Sequence, residues 1–159
     1  MASSKKAIRI GHVHLTVSDL PRSIAFYRDL LGFDVTQQLG TQAAFLSSGG
    51  YHHTIGLNTW SRPHAQKPQE GQIGLYHVAI LYPDRKELAR ALKRLLQKKW
   101  PIEGMADHGV SESIYLKDPD GNGLELYADR PESQWPRDGK GQLKMVTEPL
   151  DVEKLLDEA

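Results

Sequence analysis

IGHVHLTVSD at residues 10–19 and LYHVAILYPD at residues 75–84 decide the fold. A shift of 65 residues lays His12 on His77, Val13 on Val78 and Asp19 on Asp84, and in both copies the histidine precedes the aspartate by seven residues. Similarity at a fixed offset marks a duplicated supersecondary unit. Each copy opens with an alternating strand. Val13, Leu15 and Val17 face one way, while His12, His14 and Thr16 face the other. In the second copy Val78 and Ile80 oppose His77 and Ala79. A helix follows each strand. Asp19 suits its N-cap, Pro21 its first turn and Gly32 its end. Ile24, Tyr27 and Leu31 form the apolar stripe of the first helix, and Leu88, Leu92, Leu95 and Leu96 that of the second. The helices therefore cover the Val/Leu faces, and the histidine faces look elsewhere.

Three further strands are predicted after each helix. They fall at about 33–39, 42–47 and 51–59 in the first half, broken at Gly40 and Gly49–Gly50, and at about 102–107, 112–117 and 123–128 in the second. Asp118-Pro119-Asp120-Gly121-Asn122-Gly123 is a strong turn signal between the last two. The reading is an α+β fold: two βαβββ modules, about 7–59 and 73–130, forming a cupped mixed sheet around one site. Residues 60–72, with Pro63 and Pro68, form the linker, and His64 within it is expected to be solvated. Residues 131–159 form a polar, Pro-interrupted tail ending in a short helix from Asp151.

Composition narrows the function. The chain has 159 residues, no cysteine, and Lys+Arg and Asp+Glu balanced at 20 each. Disulfides and thiolate ligands are excluded, so any metal must sit on His, Asp or Glu. A neutral chain has no global field to attract nucleic acid or anionic lipid, and neither is expected as a partner. No apolar run approaches the ~20 residues that span a bilayer. The start, MASSKKAIRI, lacks the apolar core of a signal peptide, so a cytoplasmic location is expected.

His12 and His77 hold equivalent positions in the repeat, both opposite the helix. A pseudo-twofold between the modules would aim both imidazoles into one cup. Glu125 lies between Leu124 and Leu126, so it faces the cup while they pack under the helix. Two histidines and a carboxylate leave open positions on one side of a metal, the facial arrangement of non-haem Fe(II) oxygenases. If the turn is centred on Asp120, Tyr115 lies opposite Glu125 on the same face. A one-residue slip would aim it at the helix instead. His14 shares the face of His12, either lining the pocket or packing structurally. Trp60, Trp100 and Trp135 stand at element ends, where core or rim packing is expected.

The segments HVHLTVSDL at 12–20 and DPDGNGLEL at 118–126 resemble the glyoxalase/bleomycin resistance protein/dioxygenase superfamily, the vicinal oxygen chelate proteins, over about residues 7–130. The resemblance implies that His12, His77 and Glu125 are metal ligands. Residues 108–125 are similar to the signature of extradiol ring-cleaving dioxygenases, with Ala106 departing from it, and the chain looks most like the first half of the catechol-2,3-dioxygenase-like members. This implies catalytic roles for His108 and Tyr115, which would hydrogen-bond the reacting oxygens. HHTIGL at 52–57 resembles the stretch carrying the acid–base histidine, placed at His53. Strict alternation would put His52 and His53 on opposite faces. The implied cofactor is a divalent metal, Fe(II) first and Mn(II) second. The implied partners are a catechol-like substrate and O2, with a homodimer as one option for assembly.

Other activities of the superfamily remain in view. A glyoxalase-type isomerase would need a fourth ligand, usually a Glu on the last strand of the first module. There is no Asp or Glu between Asp34 and Glu70, and Ile55 or Gly56 stands at that place. A fosfomycin-resistance-like transferase would keep the three ligands. A metal-free small-molecule-binding resistance protein would tend to lack them.

Overall fold

The computed structural model describes residues 8–61, 66, 67, 69 and 71–159. Pro63, His64 and Pro68 of the expected linker lie outside the described residues. The chain forms two compact units, Met1–Ala65 and Gln66–Ala159.

In the first unit, β1 (Val13–Thr16) leads into α1 (Leu20–Ala25), which continues as a π-helical turn over Phe26–Leu30. Asp19 caps the helix by accepting from the Arg22 N–H at 3.0 Å. Gly32, at φ 88°, ends it. Strands β2 (Asp34–Leu39), β3 (Ala43–Ser47) and β4 (Ile55–Asn58) complete a mixed sheet in the order β1-β4-β3-β2, with β1 parallel to β4. The expected stripe of Ile24, Tyr27 and Leu31 is buried, as are Leu15 and Val17 of the first strand. His12, His14 and Thr16 on the opposite face are exposed.

One expected strand is shorter than its sequence suggests. Residues 51–53 lie outside the strand, and β4 begins at Ile55, with Thr54 still bonded to Leu46 and Val13 through its N–H and carbonyl. In β2 the register shifts between Val35 and Gln37. Thr36 is the extra residue of this bulge. Its hydroxyl donates to the His52 carbonyl at 2.8 Å and lies 3.1 Å from the Phe45 carbonyl oxygen. Gly49 and Gly50, both at positive φ, turn the chain into this irregular stretch.

The second unit repeats the plan with β5 (Val78–Leu81), α2 (Arg85–Gln97), β6 (Ile102–Asp107), β7 (Ser111–Lys117) and β8 (Gly123–Asp129). Asp84 caps α2 through the Glu87 N–H at 2.9 Å. Leu88, Leu92 and Leu95 are fully buried, and each contributes about 1.5–3 kcal/mol relative to exposure. Leu96 does not join the stripe and is 45% exposed. One residue of helix turns the side chain about 100° away, and Ala89 and Ala91 fill the buried face instead.

The sheet of this unit gains a strand from the tail. Its order is β5-β8-β7-β6-β9, where β9 is Glu148–Pro149 pairing with Asp107 and Ala106. The short helix appears as α3 (Val152–Leu156), capped by Asp151, with Leu155 fully buried against α2. The two units are thus two mixed sheets, each with its helix, in an α+β fold. Among the described residues no helix is long and apolar enough to cross a membrane.

Candidate active site

The hairpin β7–β8 positions the acidic member of the site. Asp118 closes its turn: one carboxylate oxygen accepts the Asp120 and Asn122 N–H groups at 2.9 and 2.8 Å, and the other accepts the Asn122 amide at 2.9 Å. Gly121, at φ 81°, donates its N–H to the Asp118 carbonyl. This turn sets a register in which Tyr115 pairs with Glu125, as expected from a turn centred on Asp120. Leu124 and Leu126 are buried beneath the helix, which leaves Glu125 on the other face.

Four side chains then form one connected line within the second unit. The imidazole Nε2 of His77 lies 3.0 Å from Oε2 of Glu125. The Tyr115 hydroxyl donates to Oε1 of Glu125 at 3.0 Å. Nε2 of His108 lies 2.7 Å from the same hydroxyl. Burial, then the hydrogen bond and charge of Glu125, push the Tyr115 pKa up, so the phenol keeps its proton at neutral pH.

Gly123 is the residue that lets His77 sit here, and sequence reading missed its role. A β-carbon on Gly123 would stand 3.2 Å from the His77 β-carbon and well inside contact of the Tyr76 carbonyl oxygen. Only glycine allows β8 to pass this close to the residues entering β5. A lone glycine at a strand start next to a turn carries no signal beyond the turn itself.

The first unit gathers its own imidazoles. The rings of His12 and His53 are 4.5 Å apart, and His53 lies 4.6 Å from His52. His52 and His53 approach through their Nδ1 atoms at 2.7 Å. They are neighbours, not on opposite faces as strict alternation required, because residues 51–53 lie outside the strand. Burial lowers the His53 pKa, and His12, His52 and His14 lower it further, so His53 is neutral at neutral pH. His14 lies over Gly56, its strand partner, with its ring 5.4 Å from Trp60. A β-carbon at Gly56 would meet that ring at 2.8 Å. The indole N–H groups of Trp100 and Trp135 donate to the Lys117 and Arg130 carbonyls.

The implied ligand set takes His12 from the first unit and His77 and Glu125 from the second. The second unit brings two of the three together. Neighbouring ligands at right angles about a metal, each ~2.1 Å from it, stand ~3.0 Å apart. The His77–Glu125 separation of 3.0 Å fits such a pair. Nitrogen and oxygen donors without sulfur suit iron, manganese and zinc alike.

The duplicated βαβββ plan, the open histidine faces and the Glu125 hairpin define the class. A profile of the Glyoxalase/Bleomycin resistance protein/Dioxygenase superfamily matches residues 9–126, and the chain belongs to that superfamily. It is 45% identical over 160 residues to the catechol-2,3-dioxygenase of Bacillus subtilis, a match covering all of this chain and 55% of that protein. It is 31% identical to biphenyl-2,3-diol 1,2-dioxygenase 3 of Rhodococcus globerulus over 76% of this chain and 63% of that one. The chain therefore spans just over half the length of these relatives. A solved lactoylglutathione lyase from Agrobacterium tumefaciens is similar at 27% identity and a TM-score of 0.58, covering 78% of this chain and 96% of that one.

Proposed function

We propose that the chain is an extradiol-type ring-cleaving dioxygenase module that acts on a catechol-like substrate with O2 and depends on Fe(II), with Mn(II) as the second choice. The observation that carries this reading is the line from His77 through Glu125 and Tyr115 to His108. It places a proton donor and a proton acceptor directly behind a candidate metal-binding carboxylate. The two relatives named as dioxygenases of ring diols support the same reading. The absence of an acidic residue between Asp34 and Glu70 counts against a four-ligand isomerase.

His77 and Glu125 would hold the metal, joined by His12 on the strength of its sequence match. A divalent iron there would supply a centre where a vicinal diol and O2 can be brought together. The protein's part is proton management. His53 is neutral, and with its Nδ1–H donated to His52 its Nε2 would be free to take a proton from a substrate hydroxyl. Tyr115 holds its proton and, by releasing Glu125, could turn that hydrogen bond toward developing negative charge. His108 stands behind the phenol and can return a proton to it through the 2.7 Å contact.

The test is O2 uptake and ring-opened product formation with catechols and the iron-loaded full chain. His77→Ala and Glu125→Ala should each lose iron and turnover together. Equal turnover with Zn(II), or product without O2 consumption, would overturn the dioxygenase reading.

A further inference from the structure

The segment after β8 is seated on the loop that carries His108. It leaves the sheet at Arg130, whose guanidinium pairs with Asp107 at 2.5 Å and Glu112 at 3.2 Å. It then folds back as a small hairpin. Asp138 accepts the N–H groups of Lys140 and Gln142, and Lys144 N–H donates to the Pro136 carbonyl at 2.8 Å. Val146 N–H reaches the His108 carbonyl at 3.1 Å, and the Val146 carbonyl faces His108 Nδ1 at 3.0 Å. Pairing of β9 with β6 begins two residues later, and buried Leu150 and Leu155 anchor the C-terminal residues beyond it. Gly109, at φ 75°, marks how tightly the segment sits. A β-carbon there would stand 2.8 Å from Pro136 Cγ and 3.2 Å from Val146 Cγ2.

We propose that Val146 is a positioning residue for His108: its carbonyl fixes the imidazole as the Nδ1–H tautomer and presents a bare Nε2 to Tyr115. A carbonyl oxygen only accepts, so Nδ1 must carry the proton in this contact. Thr147 Oγ1, 3.5 Å from Nδ1, lies on the same side and offers a second acceptor. With Nδ1 protonated, a neutral His108 has one lone pair left, and it points at the Tyr115 hydroxyl. Three hydrogen-bond gaps run from the Val146 carbonyl to Glu125 Oε1, while the neutral groups hold two protons, one on Nδ1 and one on the phenol. The line therefore has room for one more. In the opposite tautomer Nδ1 would turn a lone pair against the Val146 carbonyl, which cannot donate, whereas the Tyr115 hydroxyl can either donate to Nε2 or accept from it. The contact itself dictates the tautomer. Its catalytic consequence rests on the dioxygenase reading.

The experiment is a long-range proton–nitrogen correlation on the full chain with 15N-labelled histidine and no added iron, with His108→Gln identifying the resonances. Where the imidazole is neutral, the His108 pattern should show Nδ1 protonated and Nε2 bare. An Nε2–H pattern, or an average of both, would overturn the proposal. Val146→Pro removes the N–H that ties the segment to the His108 carbonyl. It should convert the pattern to an average and, in iron-loaded protein, lower kcat by ~10–100-fold with KM unchanged. An unaltered tautomer in folded Val146→Pro would also overturn it. If that variant fails to fold, Gly109→Ala pushes the same segment away and is read in the same way. A correct tautomer with no turnover on catechols would refute the function and leave the positioning intact. Turnover with the wrong tautomer would do the reverse.

Discussion

If His77 and Glu125 hold a metal as proposed, replacing Gly123 with alanine should weaken its binding while leaving the fold in place. The new methyl would overlap the Tyr76 carbonyl oxygen and press on the His77 β-carbon at 3.2 Å. Relaxed C···O contacts are about 3.3–3.6 Å, so the Tyr76–His77 backbone must retreat by on the order of 1 Å. The His77–Glu125 contact starts at 3.0 Å. A shift of that size opens it toward ~4 Å, too wide for two groups sharing one ion at ~2.1 Å each. A misplacement of ~1 Å costs about 100-fold where geometry decides function. Iron affinity should fall by that order, measured by competition with a chelator. Overpacking alone costs about 1–3 kcal/mol, so a control must separate instability from geometry. Leu92→Ala serves, since truncating a fully buried leucine costs about 2–5 kcal/mol and touches none of the site. Leu92→Ala should melt earlier and still bind iron. Wild-type iron affinity in Gly123→Ala would refute the role of close approach at Gly123 in placing His77.

His53→Ala should retain stoichiometric iron and lose turnover by ~10²–10⁴, because an acid–base imidazole moves protons without coordinating. Iron loss would make His53 a ligand or a structural residue, and unchanged turnover would pass the role to His52 or His108. The lowered pKa of His53 places the acid limb of kcat/KM below pH ~6.5, and a limb above that value would sink the assignment. The same shift has a stability sign. The unfolded chain binds the proton first as pH falls below ~6.5, so stability drops on acidification, and His53→Gln should flatten that drop in melts across pH. Glu112→Gln should destabilise the second unit by roughly 1–3 kcal/mol, since buried Glu112 pairs with both Arg85 and Arg130, each of which keeps another partner. Denaturant melts read this, and a change under 0.5 kcal/mol, within the usual range for surface substitutions, would show the pairs to be solvent-screened.

What could be read from sequence was what local chemistry dictates. The offset between the histidine motifs exposed the duplication, and alternation assigned the buried face of each first strand. The Tyr115–Glu125 pairing was legible because Asp118, Gly121 and Asn122 set the turn within a few residues, and a turn fixes register. The π-helical turn at Phe26–Leu30 was not, since the apolar stripe of that helix reads the same for either winding. Leu96 was misplaced because a run of two leucines satisfies a periodic pattern that only one of them can occupy.

The rest depends on partners far along the chain. Thr36 donates to the His52 carbonyl 16 residues away, tying the irregular stretch that carries both histidines to β2. No pattern around His52 announces it. Val146 meets His108 from 38 residues downstream, in a stretch whose polar and proline-rich composition reads as a tail. Its contribution is a main-chain carbonyl, which any residue could supply, so side-chain identity there carries no trace of the role. The line of proton contacts is thus legible from Glu125 to His108, where side chains and a local turn determine it. It becomes invisible at the step from His108 to Val146, where backbone alone makes the contact and only the folded path of the segment brings it into place.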